Sequence, residues 1–414
     1  MSARKRYWMH SGNSEYPILS TDCSLKLLEV PYIFDAARDQ LYEVDQEALE
    51  FLLQFDGTTS MNDILEKNNR PEVLELLDYL EQEGLFVLRD RPTPRHLQVR
   101  QSPIPSLRYL LVHTTTRCNL KCKHCYLGAM RGEDMTMSVF RQMVDEFIAM
   151  GGLKIMLSGG EPLLHPHIWE FLEYLKASGL RIVMLSNGTL IDHETALRLQ
   201  GLVHEVQVSI DGTAVSHDAL RGEGTFGKTR DAVRYLKAEG IDVSAATMIH
   251  ARNLDEFDEI EKTINALDML QWSVDLPCDA GYLSENPAWM ADISRAASIF
   301  SLYGFGEGAH ESTGHYTCGS HLCTVMPDGD ISKCGFFAGE PTGNISQGLL
   351  PAWERLCDEQ LWDLDELDCA GCAIIEDCRG GCRYRAKLWG GSMVSPDPLM
   401  CLANGVDPYK YIQA

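Results

Sequence analysis

No apolar run in the sequence approaches the eighteen or so residues that a bilayer-crossing helix needs, so a helical membrane span is excluded on hydropathy alone. The opening residues, MSARKRYWMHSGNSEYP, lack the apolar stretch of a secretory signal. Basic residues are in short supply, with 36 Lys+Arg against 60 Asp+Glu and a formal net charge of −24. That balance repels phosphate backbones and anionic lipid surfaces, which argues against nucleic-acid and membrane partners. Compositional extremes are absent too. At 45% hydrophobic and 23% charged, the chain is neither disordered nor collagen-like nor a coiled coil. What remains is a 414-residue globular chain of about two or three folding units, expected to be soluble and cytoplasmic.

Cysteine, by contrast, is plentiful. A reducing cytosol does not favour disulfide scaffolds, so 14 cysteines point to metal or redox chemistry. They are bunched. Cys118, Cys122 and Cys125 form one group, nine fall between Cys318 and Cys401, and Cys23 and Cys278 stand alone.

Four regions follow from the patterning. Residues 1–95 read as a small winged-helix-like unit: a hairpin in LEVPYIFDAARDQLYEVD, helices in QEALEFLLQFDG, SMNDILEKN and PEVLELLDYLEQEG, and a returning strand LFVLR. Gly57 and Gly84 are placed as helix stops and Pro71 as a helix start. A proline-rich stretch, residues 96–106 with its approach from about 89, reads as a linker. From 107 to 307, apolar strand candidates (LRYLLVHTT, LKIMLSG, RIVMLSN, EVQVSID, DVSAATMIH, LQWSVDL) alternate with helical patterns. Strands that are nearly all apolar are buried on both faces, so the fold class is α/β with a parallel, partial (β/α)6 barrel whose chemistry sits at the C-terminal strand ends. Residues 308–414 are rich in Cys and Gly, with short helical stretches such as LPAWERLCDEQLWDL. Too little apolar surface is present there to order the segment, and bound clusters would supply the missing stabilisation.

Directly after the first barrel strand stands Cys118-Asn119-Leu120-Lys121-Cys122-Lys123-His124-Cys125-Tyr126, a C-x3-C-x2-C loop. Three thiolates on one short loop can hold three irons of a cubane and leave the fourth open to a non-protein ligand. Zinc is the alternative, but it prefers four ligands, and His124 lies inside the loop where its ring would struggle to reach the same ion. The loop resembles the signature of the radical S-adenosylmethionine (SAM) superfamily. Further segments agree in order, each at a strand end: Ser158-Gly159-Gly160-Glu161-Pro162, Ser186-Asn187-Gly188, Ser209-Ile210-Asp211-Gly212, then Arg221. Taken singly, each is also an ordinary turn signal.

The resemblance implies a [4Fe–4S] cluster on Cys118, Cys122 and Cys125 with S-adenosylmethionine bound to it. Gly159, Gly160 and Glu161 would hold the methionine amino group. Ser186, Asn187, Ser209 and Asp211 would contact the ribose and other polar groups, and Arg221 the carboxylate, for which a planar guanidinium is suited. One electron from the cluster would cleave the cofactor to methionine and a 5′-deoxyadenosyl radical that abstracts hydrogen from an unactivated carbon. A flavodoxin or ferredoxin-type reductant would supply the electron.

The C-terminal cysteines run Cys318-x4-Cys323-x10-Cys334, Cys369-x2-Cys372-x5-Cys378-x3-Cys382 and Cys401, with Gly329 five residues before Cys334. Eight thiolates suffice for two more cubanes, and paired zinc ribbons are the rival reading. The spacing, with Arg379-Gly380-Gly381, resembles the SPASM extension of radical SAM enzymes. It implies two auxiliary [4Fe–4S] clusters, one on Cys318, Cys323, Cys334 and Cys382, the other on Cys369, Cys372, Cys378 and Cys401. Cys23 and Cys357 read as core packing. Cys278, with Asp275 and Asp279, follows the sixth strand at the active end of the barrel, where the three could face substrate; the preferred reading is a loop thiol beside two solvated carboxylates. His113, His165, His167, His217 and His250 are given structural roles.

Residues 1–95 resemble the leader-binding module of the pyrroloquinoline quinone pathway, in which an exposed strand edge pairs with an extended leader peptide. A DNA-binding winged helix is disfavoured by the acidic EVDQEALE, PEVLELLD and YLEQE. Resemblance spans nearly the whole chain, strongest over 107–220 and 318–401. It implies an oxidoreductase of the peptide-maturase type, making a thioether or carbon–carbon cross-link in a ribosomally made precursor peptide. Rival readings are a haem-pathway tetrapyrrole-modifying enzyme and an anaerobic sulfatase-maturing enzyme. The latter family has aspartate where this chain has Gly335. A multi-cluster electron-transfer or peptide-carrier protein is the non-enzymatic rival. General base, substrate and oligomeric state are not assigned.

Overall fold

The computed structural model describes residues 15–68, 70–129, 132–304, 314–317 and 319–411. The chain divides into two compact units.

The first unit runs to Ser106 and takes in Ile148–Leu153 and Gly179–Arg181. The expected hairpin is a three-stranded antiparallel meander, β2 (Cys23–Leu27), β3 (Pro31–Asp35) and β4 (Gln40–Glu43), while β1 (Tyr16–Leu19) pairs antiparallel with the returning β5 (Phe86–Arg89). Three helices lie between: α1 (Gln46–Leu52), α2 (Met61–Lys67) and α3 (Pro71–Gln82). Their starts are set locally. Asp45 accepts from Ala48 N at 2.7 Å, Ser60 from Asp63 N at 3.2 Å, and Pro71 opens α3, where a missing N–H costs nothing. Alternation on β2 and β3 and the helical spacing of Leu49, Leu52, Ile64 and Leu77 converge on one core that also holds Cys23, Phe55 and Leu85.

The stretch expected to be a free linker is ordered within this unit. Thr93 N donates to Gly57 O at 2.9 Å, and the Arg95 guanidinium caps the carbonyls of Leu19, Ser20 and Cys23. Gly57 lies at φ +74°, and a Cβ there would meet Thr93 O at 2.1 Å, so this helix stop is also a docking point for the following segment.

The second unit is built on a nine-stranded sheet in the order β11-β10-β9-β8-β7-β6-β12-β13-β14. Its first six strands are the expected ones, neighbouring each other in chain order: β6 (Tyr109–Thr115), β7 (Lys154–Gly159), β8 (Arg181–Ser186), β9 (Glu205–Ser209), β10 (Asp242–Met248) and β11 (Trp272–Asp275). Sequential parallel order is what right-handed strand–helix–strand crossovers produce, and the sheet stays open, with β11 and β14 at its ends. The crossovers include α4 (Met137–Ala149), α5 (Ile168–Leu175), α6 (His193–Leu199), α7 (Ala214–Arg221), α8 (Thr225–Ala238) and α9 (Phe257–Ala266). Further on come α10 (Tyr282–Glu285) and α11 (Ile293–Tyr303).

The C-terminal region departs from expectation by contributing strands. β12 (Leu322–Val325) lies parallel on β6 with Cys323 opposite Leu110, and β13 (Asp330–Ser332) and β14 (Gly343–Asn344) continue antiparallel. LPAWERLCDEQLWDL forms α12 (Leu349–Gln360) with Trp353 and Leu356 buried. Short helices α13 (Ile375–Cys378), α14 (Arg383–Arg385) and α15 (Pro398–Ala403) carry or flank the late cysteines. Among the described residues, no helix is long and apolar enough to cross a membrane.

Candidate active site

The sheet delivers the sequence-selected residues to one end. β6 runs into the cysteine loop, and the ends of β7, β8 and β9 carry Gly159, Ser186 and Ser209 beside it. The loop is anchored at both flanks. Arg117 donates to Asp134 and to Leu164 O, Thr116 N donates to Glu133 O, and beyond the last cysteine Gly128 N and Tyr282 N both donate to Cys125 O. Gly159 (φ +135°) and Gly160 bring the β7 turn hard against this loop, since a Cβ on either would meet Thr115 O at 2.2 Å or Arg117 O at 2.1 Å. The two glycines therefore serve backbone-to-backbone approach. Their consequence is the placement of Glu161.

Glu161 is fully buried and accepts from Ser186 Oγ and from Asn187 N, both at 2.9 Å. Burial pushes its carboxyl up to about 7 despite these donors. Asn187 reaches the loop directly, with Nδ2 2.9 Å from Asn119 Oδ1 and 4.0 Å from Cys118 Sγ. Ser209 ends β9, half-buried.

The three loop thiols act on one another. Burial pushes Cys122 up to about 11 and raises Cys118 and Cys125, and Arg221 pulls all three back toward the thiolate. Arg221 Nη1 is 3.9 Å from Cys122 Sγ, and its Nε donates to Asp211. Asp211 is itself fully enclosed, accepting from Met248 N at 2.7 Å, while its backbone is held by His217 and His250. Burial opposes its charge, but the Arg221 guanidinium outweighs that and holds the carboxyl well below the usual range. So the structure gives Asp211 the role of fixing Arg221 beside the sulfurs. His124 points into the same region, and burial pushes it down to about 3. A neutral ring there adds no charge to the loop.

His113 sits behind the loop with Nε2 3.3 Å from Tyr126 Oη, and His165 accepts from His167 N at 3.1 Å while its Nε2 lies 3.0 Å from Met135 O. All are buried contacts of the scaffold, save the exposed His167.

In the C-terminal region, Cys369, Cys372, Cys378 and Cys401 are brought together. Cys401 lies near enough to the other three for each to act on its sulfur, with burial raising it to about 12. Gly380 and Gly381, both at φ above +69°, and Arg379 at φ +48° make the tight turn between Cys378 and Cys382. Cys382 N donates to the buried Asp397 Oδ2 at 2.8 Å. The other expected group is divided. Cys318 lies outside the described residues; Cys323 is buried in β12 next to Cys357; Cys334 and Cys382 lie beside Tyr384 and Arg385 respectively.

Two expectations are corrected here. Cys278 does lie in a loop but is more than the plain loop thiol expected: it is 1% exposed, with its sulfur against that of Cys382. Asp275 is not freely solvated either, because Arg385 Nη1 binds it at 2.6 Å, whereas Asp279 is exposed as expected.

Sequence reasoning missed Tyr126, Arg385 and Asp397. Tyr126 follows Cys125 directly, and its ring stands 4.8 Å from that of Phe336, which stacks on Tyr384 at 5.0 Å. Gly335 is where Tyr126 fits: a Cβ there would meet Tyr126 Oη at 2.7 Å. The phenol therefore fills the place into which an aspartate at 335 would project.

Three thiols on one loop with a guanidinium beside them suit a [4Fe–4S] cluster with one open iron, and the enclosed Glu161 suits a cationic amino group on its ligand. Residues 112–264 match the Radical SAM superfamily, so the chain carries a radical SAM domain, and it is an enzyme. That family implies a [4Fe–4S] cluster and SAM. The chain is 26% identical over 354 residues to the AdoMet-dependent heme synthase of Nitratidesulfovibrio vulgaris, covering 74% of this chain and 96% of that protein. It is 27% identical over 347 residues to mycofactocin maturase MftC of Mycobacterium tuberculosis, covering 77% and 88%. The fold matches Streptococcus suis SuiB bound to its precursor peptide SuiA with TM-score 0.65 at 13% identity, over 93% of this chain and 99% of that one.

Proposed function

We propose that the chain is a peptide maturase that removes two hydrogen atoms from a ribosomally made precursor to form a thioether or carbon–carbon cross-link. The observation that carries this reading is coverage. The likeness to the peptide-bound SuiB spans 93% of the chain and so includes the first unit, with its small antiparallel sheet. In that sheet β4 is an edge strand, open to pairing with an extended leader segment. Mycofactocin maturase among the relatives points the same way. Against the sulfatase-maturing reading stands Tyr126, which leaves no room for an aspartate at 335.

In this reading Cys118, Cys122 and Cys125 hold the first cluster, Arg221 offsets the charge of their sulfurs, and Glu161, Ser186 and Asn187 orient SAM. Cluster and SAM together supply hydrogen-abstracting power when bound. The chain's own contribution is to hold the peptide carbon near that point and to exclude water. Two auxiliary clusters in the C-terminal region would accept the second electron, and a flavodoxin or ferredoxin-type protein would provide the first.

The test is anaerobic incubation of reconstituted protein with SAM and dithionite, adding either the short peptide encoded beside the gene or iron-coproporphyrin III. Peptide-stimulated 5′-deoxyadenosine with a peptide lighter by two hydrogens supports the proposal. Turnover of the porphyrin alone overturns it in favour of tetrapyrrole chemistry. No 5′-deoxyadenosine under either condition overturns the catalytic assignment and favours a carrier.

A further inference from the structure

The first auxiliary group, as the sequence pattern allots it, draws on Cys323 and Cys334 together. Backbone geometry separates them. β12 and β13 are antiparallel with Thr324 opposite Ser332 and Val325 opposite Ile331, so the next pair outward is Cys323 and Lys333. Opposed residues of an antiparallel pair point to the same face, and neighbours along a strand to opposite faces. Cys334 is still extended (φ −157°, ψ 175°), so it projects from the face opposite to Cys323. The surroundings agree. Cys323 is fully buried with Cys357 of α12 near enough to act on it, and Lys333 also acts on Cys357. Cys334 lies with Tyr126 and Tyr384 on the other side.

A different thiol stands on the Cys334 side. Cys278 follows β11 and is buried with its sulfur against that of Cys382. Cys278 and Cys334 both act electrostatically on Tyr384, and Cys382 caps the short helix that carries this tyrosine, so sulfurs from three distant segments lie in one region. The segment bearing Cys278 is pinned on both sides. Before it, Asp275 takes Arg385 Nη1 at 2.6 Å, and Arg385 Nε in turn binds Asp397 at 2.9 Å. After it, Gly281 packs on the backbone of Cys125 and Tyr126, and Tyr282 N donates to Cys125 O at 2.8 Å. Two sulfurs set against each other on segments pinned this firmly offer a metal centre a ready pair of ligands.

We propose that Cys278 is a ligand of the first auxiliary iron–sulfur cluster, joining Cys334 and Cys382 in the place the spacing pattern gives to Cys323. The inference rests on the reading that the C-terminal cysteines bind clusters. Its structural consequence is that the strand end of the barrel and the C-terminal region share one metal centre, a few residues from the loop that holds the first cluster.

The test uses full-length protein carrying Cys118→Ala, Cys122→Ala and Cys125→Ala, so that only auxiliary clusters remain. Iron and sulfide are counted after anaerobic reconstitution, and EPR spectra are taken of the dithionite-reduced forms. Adding Cys278→Ala is expected to lower iron by up to about half. The near-isosteric Cys278→Ser is expected to shift the EPR signal of one cluster and leave the other alone. Cys323→Ala is expected to match the parent in both readouts. Only that combination upholds the proposal. Any other pattern in the Cys278 and Cys323 variants overturns it, including unchanged spectra in both Cys278 variants. A parent without auxiliary iron overturns the cluster reading itself, and the two failures are distinguished by that control.

Discussion

Glu161→Gln tests the electrostatics of the buried carboxyl at the end of β7 in isolation from catalysis. Burial lifts the folded-state carboxyl from 4.5 to about 7, so the folded chain keeps a proton that the unfolded chain has released. Where the folded state binds more protons, stability falls as pH rises. The loss is absent below about pH 4.5, accumulates through about pH 7 and is complete above it. At about 1.4 kcal/mol per pH unit of separation, the full effect is about 3 kcal/mol. Glutamine cannot ionise, so the variant escapes this loss but carries a pH-independent defect of its own. Its amide oxygen can replace only one carboxylate oxygen, either Oε1, which takes Ser186 Oγ and Leu163 N, or Oε2, which takes Asn187 N, and its NH2 must face the donors of the other. Ser186 can rotate to accept; the backbone donors cannot. Urea unfolding of the metal-free, reduced chain at pH 5 and at pH 8 separates the two contributions. The stability of Glu161→Gln relative to the parent should improve by about 2 to 3 kcal/mol between those pH values. A relative stability that does not move with pH would refute the reasoning.

Gly335→Ala should destabilise by about 1–3 kcal/mol, because its Cβ would overlap the Tyr126 phenol, and Tyr126→Phe should relieve part of that loss. A double-mutant cycle by urea unfolding with no coupling between the two positions would exclude the contact. Arg385→Met strips the buried Asp397 of its partner and should cost about 3–5 kcal/mol, whereas Arg234→Met, which breaks an exposed pair with Asp231, should cost under about 1 kcal/mol. Equal midpoints for the two variants in thermal unfolding would contradict the burial argument.

Much of the fold was legible because local periodicity and caps agree with the final structure. The six apolar strands emerge in chain order, and Pro71, Ser60 and Asp45 open helices as turn chemistry dictates. The three-cysteine loop and the quartet of Cys369, Cys372, Cys378 and Cys401 were legible as spacings. Contacts set by long-range pairing were not. Nothing local to Leu322–Val325 says that it will lie on β6, and nothing local to VDLPCDAG says that Cys278 will meet Cys382. Gly159 and Gly160 were recognised as close-approach glycines, but a turn glycine does not disclose that the backbone of the cysteine loop packs against it. One feature was available and unused: the alternation of CTVMPDGDISKC as a hairpin already places Cys323 and Cys334 on opposite faces.

The parallel seating of β12 on β6 bears on how the chain is made. The strand that feeds the first cysteine loop leaves the ribosome roughly 200 residues before the strand that shields its flank. Until then β6 offers a row of unsatisfied amide and carbonyl groups, the kind of border on which foreign strands recruit. A chain cut after the sixth strand would keep that border for good. Such a fragment should be a poor source of soluble protein even though it holds every residue of the leading cysteine loop, and the C-terminal segment belongs to the barrel's own architecture rather than to an appendage.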